Sequence, residues 1–237
     1  MSIPVTTTEA VHARTPTDHR PVLVGTEPGR PGTAVVAWAA AEALRRDAPL
    51  LVLPRVSAAR AEPADTAVVV VDATAPGLED LVTTARCPTV AVPPDATAVP
   101  GRPVVLALGP RTGPEVIGFA IREAEARGVA LHVVRTWDDP TVDLGRPLPA
   151  ALARWDEADE RCRREVADRL AGPVRAHAGV DTVVLVVHES GAEALPAFAV
   201  GAPLLVVGQP AGAPHRSTAL AALRDLPCPV AVVPSPP

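Results

Sequence analysis

The amino-acid sequence predicts an α/β protein made of two copies of one parallel-sheet unit, the first of which is shortened. Runs rich in Val and Leu alternate with segments rich in Ala, Glu and Arg, the pattern of parallel strands joined by crossover helices. The chain also repeats itself. RPVLVGTEPG from Arg20 is similar to RPVVLALGPR from Arg102, and CPTVAVP from Cys87 is similar to CPVAVVP from Cys228.

The spacing of the repeats indicates where the first copy is shortened. AWAAAEALRRDAPLLVL from Ala37 is similar to GFAIREAEARGVALHVV from Gly118, an offset of 81 residues, but the two Cys-Pro endings are 141 residues apart. The first copy therefore lacks roughly 60 residues from its middle. The predicted organisation is a disordered tail over 1–19, a truncated unit over 20–93, a linker over 94–101 and a nearly complete unit over 102–237.

The elements of the first copy follow from its apolar runs. Each short run of Val, Leu or Ala bounded by polar or Pro-containing segments predicts a strand, and the longer Ala-rich segments predict helices. The strands are expected near 21–25, 49–54, 67–72 and 89–93, and the helices over 33–46 and 76–85.

The second copy carries five predicted strands with helices between them. One helix follows Thr112, where TGPE resembles a capping box, and another begins at Ser190, where SGAE offers the same spacing. A long helix over 149–176 buries one apolar face and carries i,i+4 pairs of Glu and Arg that we expect on a solvated surface. The strands are expected near 103–108, 129–135, 182–188, 203–208 and 229–233.

Composition and charge exclude several classes of partner. The net charge is −5 and the sequence has no basic run, so neither nucleic acid nor an anionic membrane is an expected partner. The longest apolar runs are far shorter than the roughly 18 residues of a membrane span, and the first twenty residues lack the apolar centre of a signal peptide. A cytoplasmic location is the resulting expectation.

The three cysteines, at 87, 162 and 228, do not form a recognisable ligand or disulfide pattern. They include no CxxC pair, and no histidine stands at metal-ligand spacing from them. Cys87 and Cys228 each precede a predicted strand, where Cys behaves as a small apolar residue. The sequence therefore predicts buried thiols with no redox role, and no metal site.

The chain resembles the universal stress protein family. The resemblance rests on the strand-turn-helix opening, EAEARGVALHVVRTW, LLVVG and LPCPVAVVP, and it covers about 20–99 in shortened form and 100–237 nearly completely. It implies a Rossmann-like αβα sandwich with a five-stranded parallel sheet and dimerisation through the last strand. With two units in one chain, we expect an internal pseudo-dimer whose closing strands, Thr89–Pro93 and Val230–Val233, lie side by side; a further homodimer stays open.

One branch of the family binds ATP, and this sequence departs from that branch's motif. The resemblance implies a G-x2-G-x9-G-[S/T] loop and an Asp at the end of the first strand, but here the spacer is about five residues short and Gly109 stands where the Asp belongs. Prolines at 210 and 214 have no N–H to offer a phosphate. The degenerate candidate site consists of Gly109, Gly208, Gly212, Arg216 and Ser217.

The corresponding positions of the first copy are also altered. Glu27, Pro28 and Gly29 follow its first strand, and Asp72 replaces the first loop glycine with almost no loop after it. We therefore expect no phosphate site in the first copy.

Three functions compete on this evidence. The sequence favours a non-catalytic stress-response or regulatory binding module, for which no cofactor is predicted and whose protein or small-molecule partner is unknown. The alternative is an ATP-binding stress sensor that uses a rearranged loop. An adenine-nucleotide hydrolase-like enzyme is the third reading, but no catalytic or metal constellation has suitable spacing; His188 with Glu189, at a strand end, is weak evidence.

Overall fold

The computed structural model describes residues 19–26, 32–54, 56, 65–137, 149–209, 218–225 and 228–234. Within them, nine strands form a single sheet in the order β2-β1-β3-β4-β9-β8-β5-β6-β7. The strands are β1 Val22–Thr26, β2 Leu50–Pro54, β3 Val68–Asp72, β4 Thr89–Val92, β5 Val104–Ala107, β6 Leu131–Thr136, β7 Thr182–Val187, β8 Leu205–Gly208 and β9 Val230–Val233.

Six helices are present in the same residues. Their bounds are α1 Thr33–Arg46, α2 Leu78–Thr84, α3 Pro114–Arg127, α4 Pro149–Ala176, α5 Gly191–Ala199 and α6 Thr218–Asp225. The strands and helices lie within a few residues of the positions predicted from the sequence, because Val-rich runs and Ala-rich amphipathic segments have different hydrophobic periods. The predicted tail falls outside the described residues except for His19.

The sheet is parallel except at its centre. Strands β4 and β9 pair antiparallel, with Val90 opposite Ala231 and Ala91 opposite Val230. The pairing of the two closing strands is therefore confirmed. It covers an edge of β1–β4 with an edge of β5–β9, which leaves neither strand available for pairing with other chains. We call residues 19–93 the N-terminal region and residues 102–234 the C-terminal region.

Helices cover both faces of the sheet, and alternate side chains of each inner strand enter two cores. In β3, Val68 and Val70 join one core, whereas Val69 and Val71 join the other. Helices α1, α3 and α4 pack on the first face, and α2, α5 and α6 pack on the second. Strands that are covered on both faces need apolar residues at every position, which is why they read as continuous Val runs.

A buried ion cluster joins α1 of the N-terminal region to α3 of the C-terminal region. Glu42 and Glu123 are 1% and 2% exposed. Arg46 donates from Nε to Glu42 Oε1 (2.6 Å), and Arg127 donates from Nη2 to Glu42 Oε2 (2.8 Å). Both arginines also contact the Glu123 carboxylate. Arg45 also pairs with Glu42, so Glu42 has three guanidinium partners and Glu123 has two. The pairs of Arg46 with Glu123 and of Arg127 with Glu42 cross between the regions.

Aromatic rings complete this cluster. The Arg46 guanidinium lies 5.9 Å from the Phe119 ring centre, and the Arg127 guanidinium lies 5.6 Å from the Trp38 ring centre. Three residues that α1 contributes precede their counterparts in α3 by 81 positions each, the offset of the sequence repeat. The pairs are Trp38 and Phe119, Glu42 and Glu123, and Arg46 and Arg127.

The two glutamates of the cluster differ in their ionisation. Burial acts to raise the pKa of Glu42, but Arg127, Arg46 and Arg45 outweigh it and lower that pKa to about 2. Burial raises the pKa of Glu123, because Arg127 and Arg46 do not fully offset it and Glu42 adds repulsion. Glu42 has three arginine partners and Glu123 has two, which accounts for the opposite directions.

On the opposite face the regions meet through Gln209 and Arg224. The amide of Gln209 donates to the carbonyl oxygens of Val82 and Ala85 at 3.1 Å each, at the carboxyl end of α2. Arg224 of α6 donates from Nε to Glu79 of α2 at 3.1 Å. The two Gln209 bonds satisfy carbonyl groups at a helix end, where intrahelical partners are missing.

Two local predictions need correction. The prediction of a capping box at TGPE is wrong, because α3 begins after Gly113 and has no side-chain cap. The Thr112 hydroxyl instead accepts a hydrogen bond from the Gly109 N–H at 2.9 Å. At SGAE, Ser190 is the N-cap, but its hydroxyl donates to the Glu193 carboxylate at 2.8 Å rather than capping a backbone N–H. Among the described residues, no helix is both long and apolar enough to cross a membrane.

Candidate functional site

Strand order identifies two places where a ligand could bind. The chain runs from β1 outward to β2 and then returns to β3 on the other side of β1. In the same way it runs from β5 outward to β6 and β7 and returns to β8. In open parallel sheets, ligands bind beyond the carboxyl ends of strands at such a reversal. The candidates are therefore the crevice between β1 and β3 and the crevice between β5 and β8.

The crevice between β5 and β8 holds the two described residues of the predicted nucleotide site. A side chain added at Gly109 would meet Thr112 Oγ1 at 3.6 Å, and one added at Gly208 would lie 4.0 Å from Thr112 Cα. The structure therefore brings Gly109 and Gly208 together around Thr112. The other members of the predicted site, Gly212, Arg216 and Ser217, lie outside the described residues, as do Pro210 and Pro214.

Arg169 of α4 closes the turn between β5 and α3. Its Nη1 donates to the Gly109 carbonyl oxygen at 2.9 Å, and its Nη2 donates to the Thr112 carbonyl oxygen. The Glu165 carboxylate lies 3.2 Å from the same guanidinium. The prediction that the α4 charges form only a solvated surface is therefore wrong for Arg169. That side chain is 21% exposed, because it spans from its own helix to this turn.

The crevice between β1 and β3 opens into a cavity of about 1070 Å³. The ends of β1 and β3, the first turn of α1 and the segment entering α2 form its walls. Most of the lining is apolar, and hydroxyl groups of three threonines supply most of the polar side-chain atoms. The lining residues that matter for its chemistry are Thr26, Thr33, Val35, Asp72, Thr74 and Leu81.

Asp72 is the ionisable side chain among the described residues that line this cavity. Its Oδ1 accepts hydrogen bonds from the backbone N–H and the hydroxyl of Thr74, at 2.7 and 2.6 Å. Its Oδ2 lies 3.8 Å from the position that a side chain on Gly32 would occupy, next to the start of α1. One carboxylate oxygen is thus held by the turn, and the other faces the first turn of a helix.

A third group of polar side chains lies at the carboxyl ends of β6 and β7, and sequence reasoning singled out only part of it. The rings of Trp137 and His188 pack edge to face with centres 4.4 Å apart, and Trp155 lies 5.9 Å from Trp137. The nitrogens Trp137 Nε1, Trp155 Nε1 and His188 Nε2 are buried and make no hydrogen bond within the described part of the chain. His188 therefore packs in an aromatic cluster. The sequence feature that could have predicted this cluster is the pair of tryptophans at 137 and 155.

The cysteines and the potential metal ligands among the described residues show no catalytic grouping. Cys87, Cys162 and Cys228 are all buried thiols, which confirms the predicted packing role. Burial raises the pKa of Cys228 to about 12 and also raises the pKa of Cys162. In the part of the chain that the structure describes, no three His, Cys, Asp or Glu residues are grouped closely enough to bind a metal ion.

Comparison with solved structures identifies proteins of the same fold. A protein of Pseudomonas aeruginosa UCBPP-PA14, classed as a universal stress protein, aligns with 18% identity and a TM-score of 0.56, covering 92% of this chain and 83% of that one. A universal stress protein of Archaeoglobus fulgidus DSM 4304 aligns with 14% identity and a TM-score of 0.52, covering 91% and 86%. No curated protein sequence matches the chain.

A family model gives the most direct result. The model described as the universal stress protein family matches residues 101–234, which is more than half of the chain and corresponds to the C-terminal region.

Proposed function

Because this chain belongs to the universal stress protein family, we propose that it is a non-catalytic binding protein with a stress-related role and not an enzyme. Its nucleotide site in the C-terminal region is degenerate. The bonds from Arg169 to the Gly109 and Thr112 carbonyl groups carry this proposal. They place a positively charged side chain on the turn where the ATP-binding branch presents a carboxylate.

Two further features of that turn support the proposal. Gly109 has no side chain with which to accept hydrogen bonds from a ribose, and the guanidinium of Arg169 is already engaged by two carbonyl oxygens and the Glu165 carboxylate. A charge that is satisfied within the protein has little left to offer a phosphate. We therefore propose that no nucleotide is a resident cofactor in the C-terminal region.

We also propose that the two regions are copies of one unit that form an internal pseudo-dimer. The antiparallel pairing of β4 with β9 and the matched residues of the α1–α3 ion cluster, all offset by 81 positions, support this arrangement. The first copy is the truncated one. A cytoplasmic location and a homodimer of the whole chain stay predictions from the sequence.

Calorimetric titration of the purified chain with Mg-ATP tests the degenerate site. Each charged hydrogen bond that is lost costs about 1.5–3 kcal/mol, so losing a ribose contact and a phosphate contact would weaken a micromolar site to roughly millimolar. We expect no binding tighter than roughly 100 μM, a limit set by the same arithmetic, and no ATP hydrolysis. A low-micromolar Kd that Ser217→Ala abolishes would instead establish the alternative, an ATP sensor using a rearranged loop.

A further inference from the structure

We propose that the cavity between β1 and β3 of the N-terminal region binds a small organic cation, whose ammonium group contacts Asp72 and whose apolar body contacts the walls. This inference deepens the proposed function of a binding protein, because it assigns a ligand class to a described site. The ligand class differs from the anionic nucleotides of the ATP-binding branch.

The size of the cavity fits a whole small molecule. At about 1070 Å³ it is slightly larger than the roughly 300–1,000 Å³ that is usual for ligand sites. It also lies beyond the carboxyl ends of β1 and β3 at the reversal of strand order, where the fold leaves backbone groups accessible. Both observations indicate a ligand site and not a packing defect.

The charge of the cavity favours a cation. No Arg or His is among its described lining residues, and Asp72 is the ionisable group there. Thr74 holds Asp72 Oδ1 by two hydrogen bonds, which fixes the orientation of the carboxylate. No hydrogen bond to Oδ2 is made by the described residues, so this oxygen is available to an N–H donor. Charge-assisted hydrogen bonds of this type are stronger than neutral ones.

The same carboxylate disfavours phosphate. The N-terminus of α1 has unsatisfied N–H groups and a partial positive charge, so by itself it would attract an anion. Asp72 Oδ2 lies near this helix start, 3.8 Å from the position of a Gly32 side chain. The protein's own carboxylate therefore occupies the role that a phosphate would take, and a second anion would meet repulsion.

The walls of the cavity specify the remainder of the ligand. Val35, Val71 and Leu78 are buried residues that face it from α1, β3 and α2. Burial of an aromatic or aliphatic body against them would supply most of the affinity, and the single charge would supply orientation. An amine with one aromatic ring system meets both requirements.

A matched pair of indoles tests the proposal on the full-length chain. Tryptamine and indole-3-propionate carry opposite charges on the same ring and a two-carbon linker. Ligand-observed NMR titration should show tryptamine binding at least tenfold more tightly than indole-3-propionate. Asp72→Asn should weaken tryptamine binding by roughly 10- to 100-fold, the range for one charged hydrogen bond. Asp168→Asn, the same change on an exposed face of α4, should leave binding unchanged.

A second variant locates the binding site independently of charge. Ala34 lines the cavity from the first turn of α1 and is only partly buried, so Ala34→Trp should obstruct the α1 side of the cavity and weaken tryptamine binding at least tenfold while the fold is retained, as checked by circular dichroism. Equal affinity for the two indoles, full affinity in either cavity variant, or no tryptamine binding up to about 10 mM overturns the proposal. ATP binding that depends on Ser217 would overturn only the proposed degenerate site, so the two failures are distinguishable.

Discussion

The N-terminal and C-terminal regions both contain a reversal of strand order, after one outer strand in the first and two in the second, yet they end the corresponding strands with different chemistry. Strand β3 ends in Asp72, beside an open cavity, whereas β8 ends in Gly208, beside a turn that Arg169 closes. The family model matches the C-terminal region. The difference teaches that an open cavity can lie in a part of the chain that the family model does not match.

The largest effect on stability is expected at the ion cluster between α1 and α3, because both regions contribute ionised side chains to it. Removing Arg127 would leave Glu42 and Glu123 buried with one fewer partner each. Breaking a buried pair by deleting one member costs about 3–5 kcal/mol. We expect Arg127→Ala to lower the free energy of unfolding in urea by about that amount.

The control for this variant is Arg164→Ala, which removes a pair with Glu160 in which both side chains are more than 60% exposed. Exposed pairs contribute about 0–1 kcal/mol, so little change is expected. If Arg127→Ala cost no more than this control, the cluster would not hold the two regions together.

The ionisation of Glu42 makes the same interface sensitive to acid. Its pKa is lowered from 4.5 to about 2 in the folded protein, so its ionised form stabilises the fold fully above pH 4.5 and loses this effect as the pH falls toward 2. The shift corresponds to about 3 kcal/mol. We expect the difference in unfolding free energy between the wild type and Glu42→Gln to stay constant from pH 7 to about pH 5 and then to shrink as urea titrations are repeated down to pH 3.

The exposed Glu160→Gln is the reference for this pH series. Its difference from the wild type should stay small throughout the series, since an exposed ion pair contributes little to stability. A Glu42→Gln difference that does not depend on pH would mean that the carboxylate is not held ionised by its arginines.

The strands of both regions could be predicted from the sequence, because burial on two faces requires continuous runs of Val and other apolar residues. The helices could be predicted from the Ala-rich amphipathic segments between these runs. The sequence also predicted the pairing of β4 with β9 from the matched Cys-Pro endings. The cavity and the role of Arg169 could not be predicted in this way. Asp72 and Thr74 are ordinary turn residues in the sequence, and Arg169 lies 57 positions from the Thr112 carbonyl that it contacts.

The closed turn of the C-terminal region should be stabilised by Arg169. Replacing Arg169 by Ala leaves the carbonyl groups of Gly109 and Thr112 without this donor. Loss of hydrogen bonds from a charged group costs about 1.5–3 kcal/mol. We expect a decrease of that size in unfolding free energy. Arg163→Ala, which removes a pair on the same helix from a side chain that is 53% exposed, should cost less than about 1 kcal/mol.

The smallest effect is expected where the two regions match most closely, at Cys87 and Cys228. Each precedes the closing strand of its region, and the two are 1% and 0% exposed. Disulfide formation requires a thiolate, and burial raises the pKa of Cys228 to about 12, so almost no thiolate exists at neutral pH. Melting temperatures with and without reductant should therefore agree within about 1 °C, less than the shift that 1 kcal/mol would produce. A drop of several degrees on reduction would reveal a stabilising disulfide and show that these matched positions are not simple packing sites.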